Sequence, residues 1–217
     1  MPSHVQSVGN RVFGTLTITG AFGSDTLAGS AVGGAVWWSN ITSVLQSVTV
    51  QGNTAILLGN PTASATKSAA GFYYEGVTAA ACSIIATFDV APGESRIAGH
   101  EVGSGGGIVR FDTFAGQNQN APGTGVDAVT SGAITPAVNN EYLMGVAFSA
   151  SGVNCTPGTG FTQVLDSTTR ESEYLIQGAA ASQAGTFTAA SGDAWITWVL
   201  AFSEGTPITG LRPAICL

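Results

Sequence analysis

A run of alternating large and small side chains constrains the fold of this chain more than any other feature. In residues 141–148, the side chains of Tyr142, Met144, Val146 and Phe148 are bulky and apolar, and most of the side chains between them are small. A period of two residues is typical of a β-strand that has one face in a hydrophobic core. We therefore predict that these four side chains share one buried face of a strand.

Similar runs, separated by polar turns, recur along the whole chain. After residues 141–148 come a turn at 156–160 and apolar runs at 161–165, 173–176 and 195–202. About a dozen candidate strands in total predict an all-β fold, a two-sheet antiparallel β-sandwich of the jelly-roll kind. We expect a single sandwich domain over residues 1–203 and an extended C-terminal tail over residues 204–217. No internal repeat stands out in the sequence.

The charge of the chain argues against two classes of partner. The chain has only 6 Lys and Arg residues and a formal net charge of −7. Nucleic-acid binding needs clustered cations that displace counterions from phosphates, so we expect no nucleic-acid partner. An anionic membrane surface is disfavoured for the same reason, and no apolar run approaches the ~20 residues of a membrane helix.

The N-terminus and the cysteines indicate folding in a cytoplasm. The first residues lack a basic segment followed by an apolar one, so we expect no signal peptide. Three widely spaced cysteines, Cys82, Cys155 and Cys216, form neither a disulfide framework nor a zinc motif. Cys82 lies in an apolar run and is expected in the core. Cys155 lies in a predicted turn, and a bridge between it and Cys216 stays an open alternative.

No motif for catalysis or for a cofactor is present. The glycine-rich residues 103–107 lack the Gly-Lys-Ser/Thr ending of a phosphate-binding loop and are interpreted as a flexible turn. His4 and His100 are the only histidines. The pair His100-Glu101 could support acid–base chemistry. We interpret it instead as a partly exposed strand residue beside a solvated carboxylate.

A calcium site is one of the metal sites that the residue types suggest. Asp112, Asn118, Asn120 and Asp127 carry oxygen ligands of the kind that Ca²⁺ prefers. Their spacing is unlike that of an EF-hand loop, so we interpret them as polar loop residues. We therefore predict no catalytic, cofactor-binding or metal-ligating residue, and no enzyme activity.

Two groups of apolar residues are candidates for an interface. Adjacent residues of a strand face opposite ways, so we expect one of Trp37 and Trp38 in the core and the other pointing outward, available to a protein or a sugar. The predicted tail carries four large apolar side chains, which we expect to dock onto a neighbouring subunit. These residues are Ile208, Leu211, Ile215 and Leu217.

Seven segments occur in a characteristic order along the chain, namely 5–7 (VQS), 72–78 (FYYEGVT), 84–88 (IIATF), 129–136 (VTSGAITP), 140–146 (NEYLMGV), 156–162 (TPGTGFT) and 195–202 (WITWVLAF). Their order resembles a β-sandwich module of tailed-phage virion proteins and of large secreted bacterial proteins. The resemblance covers residues 5–203 and includes no catalytic signature. It implies a jelly-roll-like sandwich and supplies no site residues.

The phage context fits the expectation that the chain has no signal peptide and no companion domains. The resemblance then implies a non-enzymatic structural protein of a virion, namely a capsid decoration (cement) protein or a head-fibre or tail component. Its partners would be major capsid or tail subunits and further copies of the chain, and its location the virion after synthesis in the host cytoplasm. The alternative is a carbohydrate-binding or adhesin module that recognises a surface glycan. A glycoside hydrolase ranks last, because it needs two carboxylates that flank a cleft.

Overall fold

The computed structural model describes residues 1–39, 42–59, 62–64, 67–119, 127–167 and 169–205, and its regular structure there is entirely β-strand. The N-terminal half contains β1 (Ser3–Val12), β2 (Thr17–Ala21), β3 (Ala31–Ser39), β4 (Leu45–Val50), β5 (Asn53–Thr54), β6 (Ile56–Leu58), β7 (Thr62–Ser64), β8 (Lys67–Glu75), β9 (Ser83–Phe88) and β10 (Ser95–Gly103). The C-terminal half contains β11 (Ile108–Gln119), β12 (Asp127–Ile134), β13 (Tyr142–Ser149), β14 (Cys155–Pro157), β15 (Thr162–Leu165), β16 (Glu171–Ile176), β17 (Gln183–Ala189) and β18 (Trp195–Gly205). In the part of the chain that is described, no helix has the length and apolar character to cross a bilayer.

The strands form four antiparallel sheets, which stack as four layers. The outer N sheet has the order β2-β9-β4-β5, and the inner N sheet has the order β1-β10-β3-β8-β6, with β7 also paired to β8. The inner C sheet has the order β11-β18-β13-β16-β15, and the outer C sheet has the order β12-β17-β14. The prediction of an all-β antiparallel sandwich is confirmed, with four sheets in place of two.

The two halves of the chain repeat one topology. Each inner sheet begins with the first and the last strand of its half, and each outer sheet joins the second strand to the one before the last. This is the strand order of a jelly roll, so the described chain contains an N-terminal roll and a C-terminal roll. The sequence predicts one sandwich over 1–203 and shows no repeat, whereas the topology shows two sandwiches packed against each other.

Separate hydrophobic cores fill the spaces between the layers. One core lies inside the N-terminal roll and includes Trp38 and Ile84. A second core lies between the two inner sheets and includes Tyr142, Met144, Val146 and Phe148, all completely buried. The prediction that these four side chains share one buried face is therefore confirmed. Two smaller clusters fill the C-terminal roll.

The central strands of the inner sheets are buried on both faces. The ladder between β3 and β10 joins eight residue pairs, and so does the ladder between β13 and β18. Strands in this position carry apolar or small residues at nearly every position, because no face is left for water. Gly33 shows why small residues are needed, since a Cβ there would collide with the ring of Phe202.

The end of β18 changes the predicted boundary of the tail. Glu204 and Gly205 belong to this strand and pair with Val109 and Ile108 of β11. The predicted tail therefore begins two residues inside a strand. Residues 206–217, with the four apolar candidates of the tail, lie outside the described residues.

We predict that Gly34→Ala destabilises the fold by about 1–3 kcal/mol, because adding a methyl group to a filled core forces its neighbours to move. An added Cβ would collide with the backbone carbonyl of Ala98 and lie 2.7 Å from the ring of Phe72. The measurement is the free energy of unfolding in a chemical denaturant. Gly178→Ala is the matched control, since a Cβ at Gly178 meets no atom within 4 Å. Equal stability of the two variants would contradict the packing described for β3.

Candidate functional site

The tryptophan pair predicted as an interface candidate is buried on both sides of its strand. Trp37 is 1 % exposed and packs between the two inner sheets, and Trp38 is 4 % exposed and packs inside the N-terminal roll. The two rings face opposite ways, as predicted. The expectation that one of them points outward is wrong, because a second sheet covers each face of β3.

The cysteines are structural where the chain is described. Cys82 and Cys155 are buried free thiols, and Cys82 packs in the N-terminal core as predicted. Burial raises the pKa of Cys82 to about 11 and raises that of Cys155 further. Cys155 begins strand β14 and does not lie in a turn. Its proposed partner Cys216 lies outside the described residues.

Two histidines meet two tyrosines and a serine between the inner sheets, and we call these five residues the histidine cluster. His100 of β10 is completely buried, with Nδ1 2.8 Å from the hydroxyl oxygen of Tyr142 and Nε2 2.8 Å from Oγ of Ser172. The ring of His4 stacks on Tyr174 at 5.0 Å and meets His100 edge-on at 5.4 Å. The cluster therefore joins β1 and β10 of one roll to β13 and β16 of the other.

The interpretation of His100-Glu101 as a partly exposed pair is wrong. Both residues are completely buried, and they face different cores because they are adjacent on a strand. Glu101 accepts hydrogen bonds from Nε2 of Gln6 at 2.7 Å and from the backbone N–H of Leu27 at 2.6 Å. Burial lowers the pKa of His100 well below its ordinary value, and the nearby His4 lowers it further. His100 is thus a neutral hydrogen-bonding link between the rolls.

A buried arginine makes a second polar link between the rolls. Arg96 is 1 % exposed and lies over the ring of Trp37, with its guanidinium carbon 4.1 Å from the ring centroid. Its Nε donates to Glu94 at 2.6 Å, within the N-terminal roll. Its Nη1 donates to the carbonyl oxygens of Ser149 and Thr169 in the C-terminal roll. Hydrogen bonds from Nε and Nη1 and the contact with the Trp37 ring offset the cost of burying this guanidinium.

Two buried carboxyl groups on β16 point into the C-terminal roll, and neither was predicted from the sequence. Glu171 and Glu173 face the same side of β16, and burial raises their pKa values to about 7 and about 8. Glu171 accepts from Nε2 of Gln163 at 2.9 Å, and Glu173 accepts from the N–H of Gly158 at 2.8 Å. The Glu-x-Glu spacing on a strand was the available signal. Both residues are at most 1 % exposed and tie neighbouring segments to β16.

The interpretation of Asp112, Asn118 and Asp127 as loop residues is wrong, because all three lie on strands. Asp112 accepts a hydrogen bond from the N–H of Ala137 at 2.8 Å, Asn118 lies on β11, Asp127 begins β12, and Asn120 lies outside the described residues. Among the residues that are described, no three His, Cys, Asp or Glu side chains are grouped to hold a metal ion.

Four exposed apolar side chains lie on neighbouring loops at one end of the N-terminal roll, and we call them the end cluster. They are Phe13 (61 % exposed), Leu16, Val44 and Val90 (52 % each). Backbone hydrogen bonds join their loops, since Leu16 accepts from Phe88 at 2.8 Å and Val44 accepts from Asp89 at 3.1 Å. The Asp89 carboxylate also accepts from the N–H groups of Val44 and Val90, each at 2.7 Å. These bonds hold the apolar groups in a fixed arrangement.

Two surface depressions complete the candidate sites. The larger, about 600 Å³, lies at the opposite end of the molecule, where the Met1 ammonium pairs with Glu204 beside the glycine turn 105–107. The other, about 270 Å³, is lined by Thr54, Ile56, Tyr73, Tyr74 and Glu75 on the flank of the N-terminal roll. It combines two aromatic rings with a carboxylate and a hydroxyl group.

Comparison of the chain with protein-family models, with curated proteins and with solved structures finds no match.

We predict that the histidine cluster makes the fold less stable in acid. The unfolded state binds a proton at His100 below a pKa of about 6.5, whereas the folded state resists it, so stability is lost as the pH falls through that value. Between pH 6.5 and 5.5 this cost is about 1 kcal/mol. Denaturant unfolding of the wild type and of His100→Gln at both pH values measures it.

Glu171 and Glu173 titrate in both the wild type and His100→Gln. Their contribution therefore cancels when the unfolding free energy of one protein is subtracted from that of the other. Their raised pKa values act in the opposite direction, because they stabilise the folded state towards acid. If the difference between the two unfolding free energies is the same at both pH values, the assignment of a neutral, buried His100 is contradicted.

Proposed function

We propose that this chain is a non-enzymatic structural protein of a bacteriophage virion, either a capsid decoration (cement) protein or a head-fibre or tail component. The observation that carries the proposal is the end cluster. It offers an apolar contact surface on loops whose positions are fixed by hydrogen bonds. Exposed apolar patches of this kind mark contacts with another protein.

The energy available from the end cluster suits assembly in many copies. Burying one large apolar side chain completely is worth about 1.5–3 kcal/mol. Phe13, Leu16, Val44 and Val90 are each about half exposed or more, so covering all four contributes several kcal/mol by the same estimate. In a symmetric particle each copy gains this contact, and a modest energy per copy is sufficient.

The fold and the composition agree with this proposal. Jelly rolls occur in viral capsid proteins, in lectins and in cupins, so the topology restricts the function without deciding it. The chain has 9 % charged residues, which leaves much of its surface open to contacts that exclude water. The resemblance to a module of virion proteins points in the same direction. The four apolar tail candidates, Ile208, Leu211, Ile215 and Leu217, remain predicted contacts.

The proposal is tested by quantitative mass spectrometry of purified phage particles from the source of the chain. We expect the chain in the particles, in a constant ratio to the major capsid or tail subunit. Its presence in the lysate together with its absence from the particles would contradict the proposal.

We predict that the double variant Leu16→Asp, Val90→Asp no longer binds to particles, because it places two carboxylates in the apolar contact. Val138→Asp is the matched control, since Val138 is 48 % exposed and lies beside the depression at the opposite end. The measurement is co-sedimentation of each variant with particles that lack the chain. If the double variant and the control bind equally, the end cluster is not part of the interface.

A carbohydrate-binding function is the second candidate, and the flank depression favours it. Tyr73 stacks on Phe111 with 4.0 Å between ring centroids, which fixes its ring at the edge of the depression. Glu75 is held by Nη1 of Arg110 at 2.6 Å and by the N–H of Phe111 at 2.8 Å. An aromatic ring beside oriented polar groups is a common arrangement for binding sugars.

A glycan array distinguishes the two candidates. If the chain is a sugar-binding module, we expect a defined group of glycans to bind, and Thr54→Val to weaken binding, because it removes an exposed hydroxyl group from the depression at constant volume. Phe13→Ser, at the end cluster, should leave glycan binding unchanged. An array without any bound glycan would exclude the second candidate for the sugars tested.

A further inference from the structure

Three of the few cations of this acidic chain lie at one place on the seam between the two rolls. They are Arg11 of β1, Arg96 of β10 and Arg170, which precedes β16. Burial lowers the pKa values of Arg96 and Arg170, and the charge of Arg11 lowers both further. One carboxylate is in contact with them, and Glu94 accepts from Nε of both Arg11 and Arg96. Three guanidinium groups and one carboxylate leave a local charge of +2 in a chain whose net charge is −7.

The three arginines differ in how fully they are paired. Arg96 is hydrogen-bonded through Nε and Nη1 and is part of the fold. Arg11 uses Nε for Glu94 and has a side chain that is 37 % exposed. Arg170 is half-buried, and its guanidinium has no hydrogen bond or ion pair with any residue that is described, while its Nε is shielded from water. A desolvated guanidinium without an acceptor is costly, so this group has unused binding capacity.

Gly9 places the unpaired guanidinium beside Arg11. A Cβ at Gly9 would lie 2.6 Å from Nε of Arg170, so Arg170 crosses β1 at a position where a side chain is missing. Gly9 and Arg11 are two residues apart on one strand, and their side-chain positions therefore lie on the same face, roughly 7 Å apart. Two like charges are thus held near each other at the surface of the seam.

We propose that Arg11 and Arg170 bind a tetrahedral oxyanion with two negative charges, a phosphate or sulfate group. The charge of such an anion matches the local charge of +2. Each guanidinium presents a planar fork of N–H donors, and a tetrahedral anion has enough oxygens to accept from two forks, whereas one fork saturates a carboxylate. Phe13 lies beside the site, with its ring centroid 4.7 Å from the guanidinium carbon of Arg11.

The carboxyl group of Glu171 does not occupy the proposed anion site. Glu171 follows Arg170 in the chain and is the one carboxylate that acts on its titration. Its carboxyl group turns into the C-terminal roll, where it accepts from Gln163 and from the N–H of Ser167. Its pKa is raised to about 7, so it is partly neutral at physiological pH.

The test is a titration with inorganic phosphate at constant ionic strength, followed by the NMR signals of the arginine Nε–H groups and by calorimetry. We expect the signals of Arg11 and Arg170 to shift together, and Arg170→Gln to weaken phosphate binding by about tenfold or more, as for the loss of a charge-assisted hydrogen bond. Arg110→Gln is the matched control, because Arg110 pairs with Glu75 on another part of the surface and is 46 % exposed. The control should keep the affinity of the wild type.

Glucose 6-phosphate in place of phosphate separates two sources of the anion. Equal affinity supports a site for the free anion, and tighter binding of the ester supports a site for a phosphorylated sugar. The proposal is overturned if the Nε–H signals of Arg11 and Arg170 do not shift when phosphate is added. It is also overturned if Arg170→Gln and Arg110→Gln lower the affinity equally, since that result indicates general charge screening. Circular dichroism establishes that each variant is folded.

Discussion

The contact between the two inner sheets is the constraint on which the rest of the structure depends. It buries the central strands of both rolls from two sides, because each inner sheet also packs against its own outer sheet. Neither inner sheet has a face for water, so removing one roll would expose the apolar face of the other. The position of Gly33 against Phe202 shows how closely the two sheets approach.

Burial on two sides also decides what the polar residues of the inner strands do. His100 and Arg96 lie on the same face of β10 and bind acceptors and hydroxyl groups of the opposite roll. Such groups are costly unless every polar atom has a partner. They therefore favour one alignment of the two rolls over others, which a purely apolar contact does less well. The pair His100-Glu101, which the sequence offered for acid–base chemistry, is completely buried and hydrogen-bonded within the fold.

The surfaces that remain for function are the ends of the rolls and the flanks of the seam. At one end, the apolar groups of the end cluster are fixed by Asp89 and by backbone hydrogen bonds. On the adjoining seam, Arg11 and Arg170 concentrate positive charge on an otherwise acidic chain. These exposed features lie on loops and on a strand edge, with the packed core below them.

The sequence by itself determined that the chain folds into antiparallel strands, and it determined one buried face. Alternation at Tyr142, Met144, Val146 and Phe148, with turn residues between the runs, is a local signal, since it follows from the pleat of a single strand. Only the tertiary structure decided that Leu143 and Ala147 on the other face are buried as well. Which sheet covers a strand depends on residues distant in the chain, so the four layers, the repeated roll and the arginines of the seam had no local signal. The prediction that one of Trp37 and Trp38 points outward was wrong for the same reason.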